Sequence, residues 1–299
     1  MKKELRIHLT DFWTTFALKN NFFVNLLSTK YKLIYDSRTP QFLIHCRYGS
    51  DHKRYSSKIT TKLYWTADPA GWLNVNKGST SSDYGVYDYP VRPHFSVSNY
   101  YAATNELDNN HPNHYFLPFY VFMAYCHHDN LINSHIDPPD WTTKKDISFV
   151  YSNPKPTHRN KYFEVLSKHF KINSGGKHLT NINNEHINKI EFLRQHAYDL
   201  SIENCFEYGY STEKILEPII AQTIPIYWGY TPKHINPDRY IQASPDPEDI
   251  VRHIHYLNNN PHIAQEILRQ PAFKKPDAII NEINNFSNFL FNIVETILS

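Results

Sequence analysis

The sequence predicts an α/β fold built from two Rossmann-like halves, and three observations carry that expectation. Short apolar runs alternate with stretches of helical spacing, the pattern of parallel strands joined by crossover helices. The length of 299 residues exceeds what one compact core usually serves. A polar stretch containing Pro138 and Pro139, HHDNLINSHIDPPDWTTKK at 127–145, separates two patterned regions. The expected division is 1–140 and 141–299.

In the first half, ELRIHL alternates apolar and polar residues and opens as a strand. The mixed segment Phe16 to Leu27 is a helix candidate, and YKLIYD, PQFLIHC and TTKLYW follow as strands. The next stretch, WTADPAGWLNVNKGSTSSDYGVYDYPVRP, is dense in Gly, Pro, Ser and Asp and reads as a long loop, a segment type that often carries function. The second half alternates more cleanly. DISFVY is a buried strand, Asn160 to Ser167 a helix, HFKIN a strand, Gly175-Gly176 a turn, and His186 to His196 a helix. Strand AYDLSIE, helix TEKILEPIIAQ, strands TIPIYW and RYIQA, and helix PEDIVRHIHYL complete the series, with the asparagines at 258–260 as a helix-ending loop. In the tail, Ile283, Phe286, Phe289, Leu290, Ile293 and Ile297 recur at spacings of three and four, a helical stripe expected to pack across the domain junction.

Composition narrows the function classes. The chain is 40% hydrophobic and 20% charged, with 22 Tyr, 18 Phe and 5 Trp, far too aromatic for a disordered protein. With 31 basic and 29 acidic side chains, the net charge of +2 gives no footprint for nucleic acid. Cys46, Cys126 and Cys205 form no C-x-x-C pair, which argues against a disulfide framework or a structural zinc site and for a reducing compartment. MKKELRIHLTDFW lacks the apolar core of a signal peptide, and no run approaches the ~18 apolar residues of a membrane span. The 8 glycines form neither G-x-G-x-x-G nor a P-loop, so dinucleotide and P-loop readings fall away. His127-His128 and HPNH at 111–114 lack companion ligands at metal-site spacing and read as surface loops; no metal site is expected.

The most informative stretch is DLSIENCFEYGYSTEKILEPIIAQTIPIYWG, residues 199–229, which reads strand, polar loop, helix, strand. Ser211 or Thr212 can cap the helix, and Lys214 falls in its first turn, where the macrodipole disfavours a cation unless an anion lies opposite. Lys214 therefore reads as half of a phosphate site. Arg159, in the loop and helix after DISFVY, opens onto the same carboxyl-terminal edge of a parallel sheet and reads as the other half. Two cations there suit a diphosphate. Taken alone, both residues, and Glu203 and Glu213 beside them, are equally readable as solvated surface charges.

At these residues the sequence resembles the α-1,3-fucosyltransferases of glycosyltransferase family ten. FVYSNPKPTHRNKYFEVL is similar to the family's strand, S-N, Arg and Phe-rich helix. KIEFLRQHAYDLSIENCFEYGYSTEKILEPIIAQTIPIYWG resembles its G-Y-x-T-E-K signature and I-P-I-Y-W-G strand, and INPDRYI also fits. The resemblance is strong from Ile147 to Tyr240 and fainter before Asp140. It implies a GT-B architecture, two Rossmann-like domains facing a cleft, with GDP-fucose on the C-terminal domain and acceptor recognition largely on the N-terminal one. By position it assigns Arg159 and Lys214 to the diphosphate, Asn204, Tyr210 and Glu213 to ribose, phosphate or fucose, and Ser152 and Asn153 to the same cleft. Preplaced cations would stabilise charge developing on GDP, so no cofactor or metal is required on this reading.

Inverting transfer also needs a base for the acceptor hydroxyl. The family's glutamate, in a T-G-E-N-like loop, corresponds to Asp68 in KLYWTADPAG, a carboxylate shorter by one methylene. Asp83, Asp88 and Glu106 are reserves, and Asp68 before Pro69 is also an ordinary turn residue. Tyr84, Tyr87, Tyr89, Phe95, Tyr100 and Tyr101 supply either stacking surface for an acceptor sugar or core packing. The resemblance further implies a GlcNAc-containing acceptor, N-acetyllactosamine-like or a lipid-linked surface glycan. It implies a cytoplasmic setting compatible with peripheral contact at the inner membrane face. Two alternatives keep part of the reading: the same fold with another nucleotide sugar or acceptor, and a catalytically silent nucleotide- or glycan-binding protein.

Overall fold

The computed structural model describes residues 2–66, 100–103, 113–183 and 188–299, with only the backbone of 100–103. Packing divides these into two units: the described residues of 1–125 with 280–299, and those of 126–279.

The first unit is a six-stranded sheet. Its strands are β1 (Glu4–Thr10), β2 (Lys32–Tyr35), β3 (Phe42–His45), β4 (Thr61–Thr66), β5 (Tyr100–Ala103) and β6 (His114–Phe116), in the order β2-β1-β3-β4-β5-β6. Every neighbouring pair is parallel. In β1 the alternation seen in the sequence becomes burial of Leu5, Ile7 and Leu9. Helix α1 runs Phe22–Lys30 and starts later than the sequence suggested, because Asn21 Oδ1 accepts from Val24 N at 3.1 Å and sets the cap there. Helix α2 (Phe119–Cys126) was not anticipated, since FYVFMAYC is apolar on all sides and shows no period to read.

The second unit begins with α3 (His128–Ile132). Its five-stranded parallel sheet comprises β7 (Lys145–Phe149), β8 (Ile172–Ser174), β9 (His196–Ile202), β10 (Ile224–Trp228) and β11 (Ile241–Gln242), ordered β11-β10-β9-β7-β8. All seven residues of β9 and all five of β10 are buried, as expected of central strands covered on both faces. The crossover helices are α4 (His158–Leu166), α5 (Lys189–Arg194) and α6 (Glu213–Ile220), followed by α7 (Pro247–Asn259) and α8 (Pro261–Arg269). No helix among the described residues is long and apolar enough to cross a membrane.

The packing boundary differs from the expected one at residue 140. The polar stretch is pinned to the second unit: Gln222 Nε2 donates to Ser134 O at 3.4 Å, Gln265 Nε2 donates to Pro139 O at 3.3 Å, and Trp141 N donates to Gln265 Oε1 at 2.8 Å. The tail differs as well. Helix α9 (Ala278–Leu298) lays its stripe on the first unit, where Phe286 stacks on Phe22 with centroids 5.6 Å apart. Tyr115 OH donates to Glu282 Oε1 at 2.6 Å and Tyr31 OH to Glu295 Oε1 at 2.8 Å, so both edges of the stripe carry polar contacts as well.

Arg239 is fully buried in the short turn Pro237–Arg239. Its Nη1 donates to Thr223 O at 3.4 Å, while Nε and Nη2 have no hydrogen-bond partner among the described residues. Burial alone pushes its pKa down, to about 9. An isolated buried cation costs more than a well-packed apolar side chain of similar volume. Arg239→Met should therefore raise the thermal midpoint by about 2 °C, the shift expected for roughly 1 kcal/mol in a chain this long. A lower midpoint by calorimetry would show that the guanidinium is a net support.

Candidate active site

The carboxyl-terminal edge of the second sheet gathers the charges. Strands β7 and β9 are parallel neighbours, so the loop from β7 to α4 and the loop from β9 to α6 emerge side by side. The second of these turns sharply at Gly209, whose φ of 81° is the left-handed value needed at the third position of the turn closed by Tyr210 N donating to Glu207 O at 3.0 Å. Thr212 then caps α6, its Oγ1 accepting from Lys214 N at 3.4 Å.

Glu203 is the centre of the cluster. It is 0% exposed and accepts from Thr212 N at 2.7 Å, from Thr212 Oγ1 at 2.8 Å and from Tyr227 OH at 3.3 Å. The Lys214 ammonium lies 3.1 Å from Glu203 Oε2 and 3.4 Å from Glu213 Oε1, and donates to Thr212 Oγ1 at 2.9 Å. The anion that its helix position calls for is thus supplied by the protein itself. Lys214 keeps 19% of its side chain exposed, enough to meet a ligand.

Arg159 is 4% exposed. Its Nη2 donates to Asn204 Oδ1 at 2.5 Å, its Nε to Glu203 O at 3.4 Å, and its guanidinium lies 4.6 Å from the centre of the Tyr151 ring. Asn204 in turn donates through Nδ2 to Tyr210 OH at 3.3 Å. Burial lowers the Arg159 pKa, opposed by Glu203 and Tyr151, and the guanidinium remains a cation. Burial also pushes the Glu213 carboxyl up, but Lys214 and Lys189 outweigh it and hold the group well below the usual carboxylate range. Lys189, from α5, pairs with Glu217 of α6. Arg159, Lys189 and Lys214 line one small cavity together with Asp199, whose carboxylate accepts from Ser148 Oγ at 2.7 Å and Ser201 Oγ at 2.6 Å.

Five of the residues singled out in the sequence, Arg159, Asn204, Tyr210, Glu213 and Lys214, are therefore joined in one network. Two others, Ser152 and Asn153, lie in the β7 to α4 loop, but their hydrogen bonds run elsewhere: Lys177 N donates to Ser152 Oγ at 3.2 Å, and Asn153 Oδ1 accepts from Lys155 N at 3.1 Å. Asp68, with Asp83, Asp88, Glu106, Tyr84, Tyr87, Tyr89 and Phe95, lies outside the described residues. Sequence reasoning missed Lys189, Tyr151 and Tyr227, and took Glu203 for a possible surface partner. A signal existed for one of them: a tyrosine in the apolar strand IPIYW must find a partner for its hydroxyl.

The arrangement fixes a buried guanidinium and a half-buried ammonium beside a helix N-terminus. Such a constellation holds an anion and stabilises negative charge appearing on it without reorganising.

Residues 141–269 match the profile described as glycosyltransferase family 10 (fucosyltransferase), C-terminal. Residues 7–123 match the alpha-(1,3)-fucosyltransferase FucT N-terminal domain. Among curated proteins, the chain is similar to the candidate fucosyltransferase R654 of Acanthamoeba polyphaga mimivirus, at 31% identity over 194 residues, 60% of this chain and 31% of that protein. It is similar to alpha-(1,3)-fucosyltransferase FucT of Helicobacter pylori at 32% identity over 145 residues, 47% of this chain and 30% of that protein. The matched stretches thus span less than a third of either relative. Among solved structures, a crystal structure of an α1,3-fucosyltransferase superposes with a TM-score of 0.73 at 20% identity, covering 97% of this chain and 90% of that one. That likeness shows the fold to be α/β of the GT-B type.

Proposed function

The chain belongs to glycosyltransferase family 10, the fucosyltransferases, and from that premise we propose that it transfers L-fucose from GDP-fucose to a hydroxyl of a GlcNAc-containing glycan, with inversion and an α-1,3 linkage. The observation that carries the reading is the network holding Arg159 and Lys214 at one sheet edge around Glu203. Two solved structures of the same fold, α1,3-fucosyltransferases, were determined with GDP and with GDP-fucose.

In the proposed reaction the acceptor oxygen attacks C1 of fucose, the bond from C1 to the β-phosphate oxygen breaks, and GDP leaves. Arg159 and Lys214 stabilise the charge that develops on the diphosphate. Asn204 and Tyr210 hold the guanidinium in position and, with Glu213, contact the donor. Ser152 and Asn153 line the same edge. Asp68 takes the proton from the acceptor hydroxyl. The chemistry requires no metal or other cofactor. A cytoplasmic location and a lipid-linked or N-acetyllactosamine-like acceptor complete the proposal.

The test is GDP release from GDP-fucose, with and without N-acetyllactosamine. Acceptor should stimulate release in the wild type, and Asp68→Asn should remove at least about 100-fold of that stimulation while GDP still binds, the scale of a lost general base. Unchanged turnover in Asp68→Asn would place the base elsewhere. Failure of GDP-fucose to bind at all would overturn the donor assignment.

A further inference from the structure

We propose that Asp11, His45 and His52, in the first unit, form a binding site for one divalent transition-metal ion of the zinc type. Strands β1 and β3 run parallel with Thr10 opposite His45, so the residues that follow them meet at one end of the sheet. Asp11 stands there with φ 61°, a left-handed conformation that aspartate, with its short polar side chain, adopts more readily than most residues. Its carboxylate is aimed at the short turn Asp51–Arg54: Oδ1 accepts from Asp51 N at 2.9 Å, and Oδ2 accepts from His52 N at 2.9 Å and lies 2.6 Å from His52 Nδ1. The His52 ring lies face to face with His45, centroids 4.3 Å apart and planes 12° from parallel. One ligand atom from each of the three residues falls within 4.8 Å of the others.

Two imidazoles and a carboxylate are a zinc-type donor set, whereas calcium and magnesium prefer oxygen alone. Ligand atoms of a tetrahedral zinc ion stand roughly 3.3 Å apart and each imidazole holds the ion in its own ring plane, so the ion would turn one ring out of the stack, draw His45 inward and replace the proton between Asp11 and His52. The supporting groups are in place. Two backbone N–H groups orient the Asp11 carboxylate, and His45 Nδ1 lies 3.4 Å from Cys46 O. The side chains of Asp11 and His52 are 4% and 12% exposed, and His45 is 1% exposed, so the ligands are shielded from competing water. Gly49 makes the arrangement sterically feasible, since a Cβ there would stand 2.3 Å from Asp11 Oδ1. Asp11 also lines a cavity of about 640 Å³ shared with Thr10, Trp13 and Asp51, so one of the three candidate ligands borders open space. None of the three residues has a role in the transfer chemistry proposed above.

The experiment uses the whole chain, stripped of metal with chelator. Co²⁺ is titrated while tetrahedral visible absorption is followed, and Zn²⁺ is titrated against a chromophoric chelator. The expected result is one ion per chain with a dissociation constant of about 1 μM or tighter. Asp11→Asn and His52→Gln, both close in volume to the residues they replace, should each weaken binding by at least about tenfold with the far-UV spectrum retained, while His127→Gln leaves it unchanged. A wild type that takes up no Zn²⁺ at about 100 μM overturns the proposal, as does stoichiometric binding equally tight in both ligand variants. If a variant fails to fold, the wild-type cobalt spectrum decides: intense tetrahedral bands from mixed nitrogen and oxygen ligands support the site, and a weak six-coordinate spectrum overturns it.

Discussion

Lys214→Ala should lower kcat for transfer from GDP-fucose by about 100- to 1000-fold, the cost of removing one preorganised charge from a site where negative charge develops. The size of the effect follows from how the ammonium is held. Three oxygens of Glu203, Thr212 and Glu213 fix it within 3.4 Å, so its charge is in place before the donor arrives. The variant also leaves Glu203 buried beside an empty position, which destabilises the loop and confounds a bare activity assay. A double substitution separates the two effects. Lys214→Ala with Glu203→Gln removes the unpaired anion and should recover thermal stability, while kcat stays low. Activity restored in the double variant would show that Lys214 serves only to neutralise Glu203.

Glu203→Ala is expected to cost about 3–5 kcal/mol in unfolding free energy, the range for breaking a buried charge pair by deleting one partner. Four groups lose Glu203 as a partner at once: the Thr212 amide and hydroxyl, the Tyr227 hydroxyl, which keeps Tyr230 O at 3.3 Å, and the Lys214 ammonium, which keeps Thr212 and Glu213. Arg159 keeps its contact, because it uses the backbone carbonyl of Glu203. Glu203→Gln retains an acceptor oxygen and the volume, and should cost clearly less. Urea unfolding read on the second unit distinguishes them; a loss below about 1 kcal/mol for Glu203→Ala would show that the loop holds without its central carboxylate.

The second unit was the more legible half because its segments obey two rules at once. Each apolar run of β7, β9 and β10 is a strand with buried apolar residues, and helices α5 and α6 between them open on the capping side chains of Asn188 and Thr212. The 3.6-residue stripe likewise located α9, with Phe286 and Leu290 at its buried centre. What a periodic pattern cannot encode is the partner. The stripe is silent on which unit it covers, and that depends on Phe22 and Tyr115, more than 160 residues away in the chain. Lys214 and Arg159 were legible from their places after strands, since parallel topology brings such loops to one edge. Glu203 was not, because a carboxylate in a polar loop looks the same in sequence whether it is solvated or sealed under Tyr227 and Thr212. The Asp11, His45 and His52 cluster was invisible for a related reason: its three donors come from separate segments, and only the register of β1 against β3 brings them together.

The return of the last helix to the first unit has a consequence for biosynthesis. A chain emerging from the ribosome completes residues 126–279 while the first sheet still lacks α9. Until that helix emerges, Phe22, Phe23 and Tyr115 have no cover from Phe286, and an aromatic surface stands open to water. Domains generally fold as units in the order of their synthesis. Here the order is inverted: the half made second can close first, and the half made first must wait, exposed to aggregation and to chaperones, until α9 has been made.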